Sequence, residues 1–74
     1  MERILVDPAI CMGQPVFKGT RITVSVVLRM LAGGHDFEAV LEAYPELTVE
    51  HLREAMRYAA WLASERTLAP TGGA

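Results

Sequence analysis

Residues 23–66, "TVSVVLRMLAGGHDFEAVLEAYPELTVEHLREAMRYAAWLASER", carry three helical patterns separated by two strong stops. Thr23 is an N-cap residue, whose hydroxyl suits the free amides at a helix start. Behind it Val24, Val27, Leu28 and Leu31 recur at the spacing of one buried helix face. Gly33 and Gly34 end that helix, since glycine takes the left-handed conformation of a C-terminal cap. Asp36 caps a second, shorter helix over "FEAVLEAY", with Phe37, Val40 and Leu41 on one face. Pro45 stops it, because the residue ahead of a proline avoids the α region. Thr48 caps a third helix that meets no further Gly or Pro and extends to about Arg66. Leu47, just ahead of the cap, is placed to staple onto Leu52.

The third helix has two halves. In the first, Val49, Leu52 and Met56 form an inward stripe and Glu50, His51, Arg53, Glu54 and Arg57 face solvent. Glu50 with Arg53, and Glu54 with Arg57, are spaced to pair along the helix. From Ala55 to Ala63 the helix is apolar on nearly every side, which is the pattern of a buried helix. Three short helices cannot surround it. A second subunit packed near Tyr58, Trp61 and Leu62 is one explanation; cover by the N-terminal segment is the other.

Upstream, "RILVDP" reads as a short strand that Pro8 ends, with Asp7-Pro8 starting a turn. "ICMGQ" is a loop in which Gly13 can take positive φ. "PVFKG" offers a second short strand, restricted by Pro15 to an edge or a strand start. Two strands alone are not stable in water, so they must pack on the helices or on another subunit. Residues 1–67 form one domain, and the Pro/Gly-rich 68–74 read as a flexible tail.

The chain has 74 residues, 51% of them apolar, a net charge of −2 and one cysteine. A domain this small is marginal alone. Cys11 excludes an internal disulfide, and no Cys/His spacing suggests zinc, so oligomerisation is the remaining common support. There is no run long and apolar enough to span a membrane and no signal-peptide core; a soluble cytoplasmic protein is the expectation. The acidic balance is unlike that of a sequence-independent nucleic-acid binder. It leaves room for a local basic patch on a dimer.

One such patch is "QPVFKGTRIT", residues 14–23, where Lys18 and Arg21 flank Gly19 and Thr20. Cations and amides on a glycine turn can hold a phosphate. Equally, Arg21 can pair with a carboxylate and Thr20 can cap the turn. A short helix, a tight connection and a capped third helix also suit a helix-turn-helix unit whose last helix enters the major groove. On that reading His51, Arg53 and Arg57 face DNA. The plainer reading is a solvated helix face with ordinary ion pairs.

The segment from "DPAICMGQPVFKGTRITVSVVL" through "YPELT" to "REAMRYAA" resembles the domain-of-unknown-function family 433 over about residues 4–60. The motif residues are Gly13, Pro15, Lys18, Gly19, Thr20, Arg21, Ile22, Pro45 and Leu47. The chain departs from the family pattern at Gln14, where Lys is usual, and at Thr23, where Pro is usual. The resemblance implies a mainly α fold: a three-helix, homeodomain-like helix-turn-helix with one or two short N-terminal strands. It also implies an antitoxin of the VapB-like kind, which binds a PIN-like ribonuclease toxin and its own operator, double-stranded DNA. The alternative is a homodimeric protein-interaction module without DNA contact.

An enzyme reading finds no support. His35, His51 and Cys11 have no paired base, and the chain carries no phosphate loop or dinucleotide fingerprint. No metal or cofactor is expected.

Overall fold

The computed structural model describes residues 1–65. It is mainly α, with a short antiparallel sheet at the N-terminus. Strand β1 (Ile4–Leu5) pairs with β2 (Val16–Phe17), Ile4 opposite Phe17 and Leu5 opposite Val16. Helices α1 (Val24–Ala32), α2 (Phe37–Ala43) and α3 (Val49–Glu65) follow. The stops expected from Gly33-Gly34 and Pro45 fall where the sequence puts them. The expected tail, 68–74, lies outside the described residues.

The caps account for the helix starts. The Thr23 hydroxyl accepts from the Val26 amide at 3.3 Å, and the Asp36 carboxylate accepts from the Ala39 amide at 2.9 Å. Helix α3 uses a different device. Its third residue, His51, reaches back so that Nδ1 accepts from the Thr48 amide at 3.0 Å. An amide can only donate, so Nδ1 carries no proton, and the Thr48 hydroxyl 2.9 Å away also donates to it. His51 thus fills the place that Glu or Gln takes in a capping box.

The core is a single cluster. Phe17, Val24, Val27, Val40, Leu47, Leu52 and Ala55 are buried in it, and Ile4, Leu28, Leu31, Phe37, Leu41 and Tyr58 pack around it half-buried. Burial of each large side chain contributes about 1.5–3 kcal/mol, and Phe17 is the largest that is fully enclosed. Its ring meets the His51 ring edge-on, centroids 5.5 Å apart. The hairpin therefore rests against the first half of α3.

That contact corrects the reading of α3. Val49 and Met56 are exposed rather than inward, and the inward residues are Leu52, Glu54 and Ala55. His51 is half-buried against Phe17 instead of facing solvent. Glu54, expected on the surface beside Arg57, is 3% exposed. Its carboxylate accepts from the Arg3 amide at 2.7 Å and from Arg3 Nη1 at 3.2 Å. The physical reason is the hairpin. It packs on the flank of α3 and moves the inward side of the helix round from the Val49–Met56 stripe to Leu52, Glu54 and Ala55.

Burial works against the Glu54 charge. The Arg3 amide, the Arg3 guanidinium and the nearby amino terminus outweigh it, and the carboxyl titrates below its ordinary range. A lowered folded value stabilises the fold above the unfolded value of about 4.3. That contribution is lost as the pH falls through the folded value. Glu54→Gln should lower stability by about 1–3 kcal/mol at neutral pH, because a charge-assisted bond is lost inside the fold. In urea titrations at several pH values, the wild-type chain should lose stability below the glutamate range more steeply than the variant. Parallel acid limbs would show that Glu54 does not carry the effect.

The connections hold the strands in register. Asp7 closes a turn by accepting from the Ala9 and Ile10 amides. Cys11, Met12 and Gly13 follow, all at positive φ (49°, 58° and 84°). Only Gly13 was expected there. The β2 strand is also bridged on its far side, Val16 to Thr23, so the chain folds back on itself before α1 begins.

Candidate functional site

Three surfaces hold the candidate residues. The first is the turn after β2. The Phe17 carbonyl accepts from both the Thr20 amide at 2.9 Å and the Thr20 hydroxyl at 2.8 Å. The same hydroxyl accepts from the Ile22 amide at 2.9 Å. Gly19 sits at φ 83°, a left-handed conformation at which a side chain would be strained. Thr20 is thus a structural clamp that closes the turn. Lys18 and Arg21 are exposed at its two ends, and among the described residues neither forms an ion pair. Arg21, Gly19 and Thr20 line an open groove with Leu5, Ile10, Ile22 and Glu46, so a carboxylate stands in the same groove as the cation.

The second surface is the outer face of α3. Arg53 and Arg57 lie one turn apart and exposed. Arg53 pairs with Glu50 at 3.5 Å, both side chains half or more exposed, which is the pairing expected from their spacing. Such an exposed pair contributes little to stability but spends a cation. His51 does not join these arginines, since its ring is turned inward to the cap and Phe17. Across the α2–α3 turn the surface is acidic: Asp36, Glu38, Glu42 and Glu46 are all exposed.

The third surface is the end of α3. Trp61 is 51% exposed and Leu62 40%. Tyr58 is half-buried, its ring 6.0 Å from that of Trp61. Beside them lie Met1 (53% exposed) and Val6 (56%), and Met1, Ile4, Val6, Tyr58 and Trp61 line one shallow groove. The sequence offered the N-terminal segment as one of two covers for this half of α3, without saying which of its residues would lie there. The apolar run "RILV" was its signal, but nothing local says which part of α3 it lies along. The N-terminal segment therefore does reach the apolar half of α3, and it extends the exposed surface there instead of covering it.

Among the described residues, no group of three or more His, Cys, Asp and Glu side chains is placed to hold a metal ion. No helix there is long and apolar enough to cross a membrane.

Residues 4–59 match the family model described as "Protein of unknown function (DUF433)". The chain is also similar to "Uncharacterized protein y4eO" of Sinorhizobium fredii (strain NBRC 101917 / NGR234), with 43% identity over 58 residues. That match covers 78% of this chain and 26% of the relative, so the chain spans about a quarter of the relative's length. No solved structure matches.

The His51 cap gives a direct test of local structure. His51→Ala should cost about 1 kcal/mol or more, from the lost cap and the lost ring contact. His51→Glu restores an acceptor at the capping-box position and should recover part of that loss. Thermal unfolding followed by circular dichroism distinguishes the two. Equal melting temperatures for both variants would mean that the imidazole nitrogen does not cap α3.

Proposed function

We propose that this chain, which belongs to the DUF433 family, is a homodimeric protein-binding module that works in the cytoplasm and binds rather than catalyses. The observation that carries this reading is the apolar face at the end of α3. Met1, Val6 and Trp61 stand exposed there around one groove, and Leu62 is exposed next to Trp61 in sequence; contiguous exposed apolar surface marks an interaction site.

Charge argues in the same direction. In a helix-turn-helix complex the helix before the reading helix crosses the DNA backbone. Here that helix and its flanks expose Asp36, Glu38, Glu42 and Glu46, which phosphates repel. The reading helix offers Arg53, already paired to Glu50, and Arg57.

A second reading rests on Lys18 and Arg21. Both are exposed on a turn that Thr20 and Gly19 hold rigid, and no described carboxylate pairs with either. In the antitoxin-like form of the proposal these cations face operator phosphates, or the acidic metal site of a PIN-like ribonuclease toxin.

Fluorescence anisotropy separates the readings, using the DNA upstream of the chain's own gene against a scrambled duplex at low and physiological salt. The module reading expects weak binding, equal on both duplexes and lost with salt, which is the counterion-release component alone. Lys18→Ala and Arg21→Ala should weaken both duplexes alike. A preference for the upstream DNA that persists at physiological salt, and relaxes in Arg53→Ala, would favour the repressor reading instead.

A further inference from the structure

We propose that two copies of the chain join through the open edge of β1, so that the N-terminal hairpins form one continuous sheet and the ends of the two α3 helices meet over it. This inference rests on the homodimer reading and adds the strand edge to it.

The edge is open by its hydrogen-bond pattern. The Lys18 amide donates to the Arg3 carbonyl at 2.8 Å and Leu5 pairs with Val16, so the Arg3 carbonyl and the backbone of Leu5 face β2, while the Arg3 amide donates to Glu54. In an antiparallel ladder the alternate residues then point theirs the other way. Those residues are Ile4 and Val6. The sheet order is β1–β2, with the next segment bridged to β2, so no described strand pairs with the outer side of β1; the Ile4 amide there makes one local bond, to the Met1 carbonyl at 3.4 Å, which leaves the Ile4 carbonyl and the Val6 amide to the edge. The Val6 amide has no hydrogen-bond partner among the described residues, and Val6 is 56% exposed.

A second copy fits this edge better than an unrelated strand because the edge is self-complementary. Antiparallel pairing about Leu5 sets Ile4 of one copy opposite Val6 of the other. Each Val6 amide then donates to the facing Ile4 carbonyl, two bonds per dimer, as an isologous two-fold interface requires. The two-fold axis stands perpendicular to the sheet, so the same face of both hairpins stays on one side. Ile4 and Val6 line that face together with Tyr58 and Trp61. Pairing the strands therefore brings the two apolar α3 ends together.

The area agrees. Met1, Val6, Trp61 and Leu62 leave on the order of 400 Å² of apolar residue surface per copy, the size of an interaction patch. Interfaces are a little over half apolar, so this corresponds to roughly 700 Å² per copy, close to the ~800 Å² per partner of a standard complex. Extension to four strands also relieves the marginal stability of a two-stranded sheet.

The test is sedimentation velocity of the full chain across the micromolar range, with circular dichroism to check folding. The wild type should sediment at about twice its 8.1 kDa chain mass. Val6→Pro deletes the edge donor and should raise the dimer dissociation constant at least about tenfold over Val6→Ala, which keeps it. A third variant, Leu5→Cys with Cys11→Ser, serves if Val6→Pro does not fold. The two introduced cysteines face each other across the axis at a non-hydrogen-bonded position, with Cα atoms about 4.5 Å apart, within disulfide reach. Rapid oxidation to a single cross-linked dimer supports the edge. If the wild type is a dimer but Val6→Pro matches Val6→Ala, or no cross-link forms, the strand edge is excluded while the helix interface stands. A wild type that stays monomeric throughout excludes both.

Discussion

A carboxylate taken out of water must find its cation and its hydrogen bonds inside the fold, or the fold pays heavily in desolvation. Glu54 meets that demand with one residue, Arg3, through both its amide and its guanidinium. The consequence reaches well beyond the pair. It fixes where β1 lies along α3, and with β1 comes β2, whose Phe17 closes the core against His51. The ring of His51 is then held between the core and its own helix start, where it caps α3. First strand, second strand and last helix are locked by one ionic contact spanning 51 residues of sequence.

The same arrangement sorts the surfaces. Burying Glu54 and turning His51 inward remove two groups that a groove-reading helix could have used. The cations without an ion pair among the described residues are spread out, Lys18 and Arg21 at the turn, Arg29 on α1 and Arg57 on α3, while α2 and its flanks present carboxylates. An interface built from that distribution is better suited to apolar contact with a charged rim than to a run of phosphates. The two candidate surfaces are also separate in character: a rigid basic turn, and an apolar face shared by β1 and the end of α3. One molecule can engage a second copy with the latter and an anionic partner with the former.

Much of the helical plan was legible because its determinants are local. Thr23 and Asp36 cap where their side chains predict, and Gly33-Gly34 and Pro45 stop where backbone geometry demands. The two short strands were legible for the same reason. What local pattern could not supply was the partner of each face of α3. A glutamate followed three residues later by an arginine reads as an exposed pair, and Glu50–Arg53 is one. Glu54–Arg57 reads identically but is not, because its true partner stands at position 3. His51 was likewise read as a solvent-facing residue, whereas its ring turns back to the start of its own helix. The positive φ of Cys11 and Met12 had no signal at all, since neither residue type favours that conformation.

The place where the chain starts has a practical consequence. Met1 lies beside Val6, Tyr58 and Trp61, and Arg3, two residues on, is pinned to α3. Residues attached ahead of Met1 must therefore leave directly from the apolar face. An affinity tag or fusion partner placed there would shield that face, and a reporter placed there would sense its occupancy. In a longer chain that carries this unit, a preceding segment would start on the same face and could serve as its built-in cover.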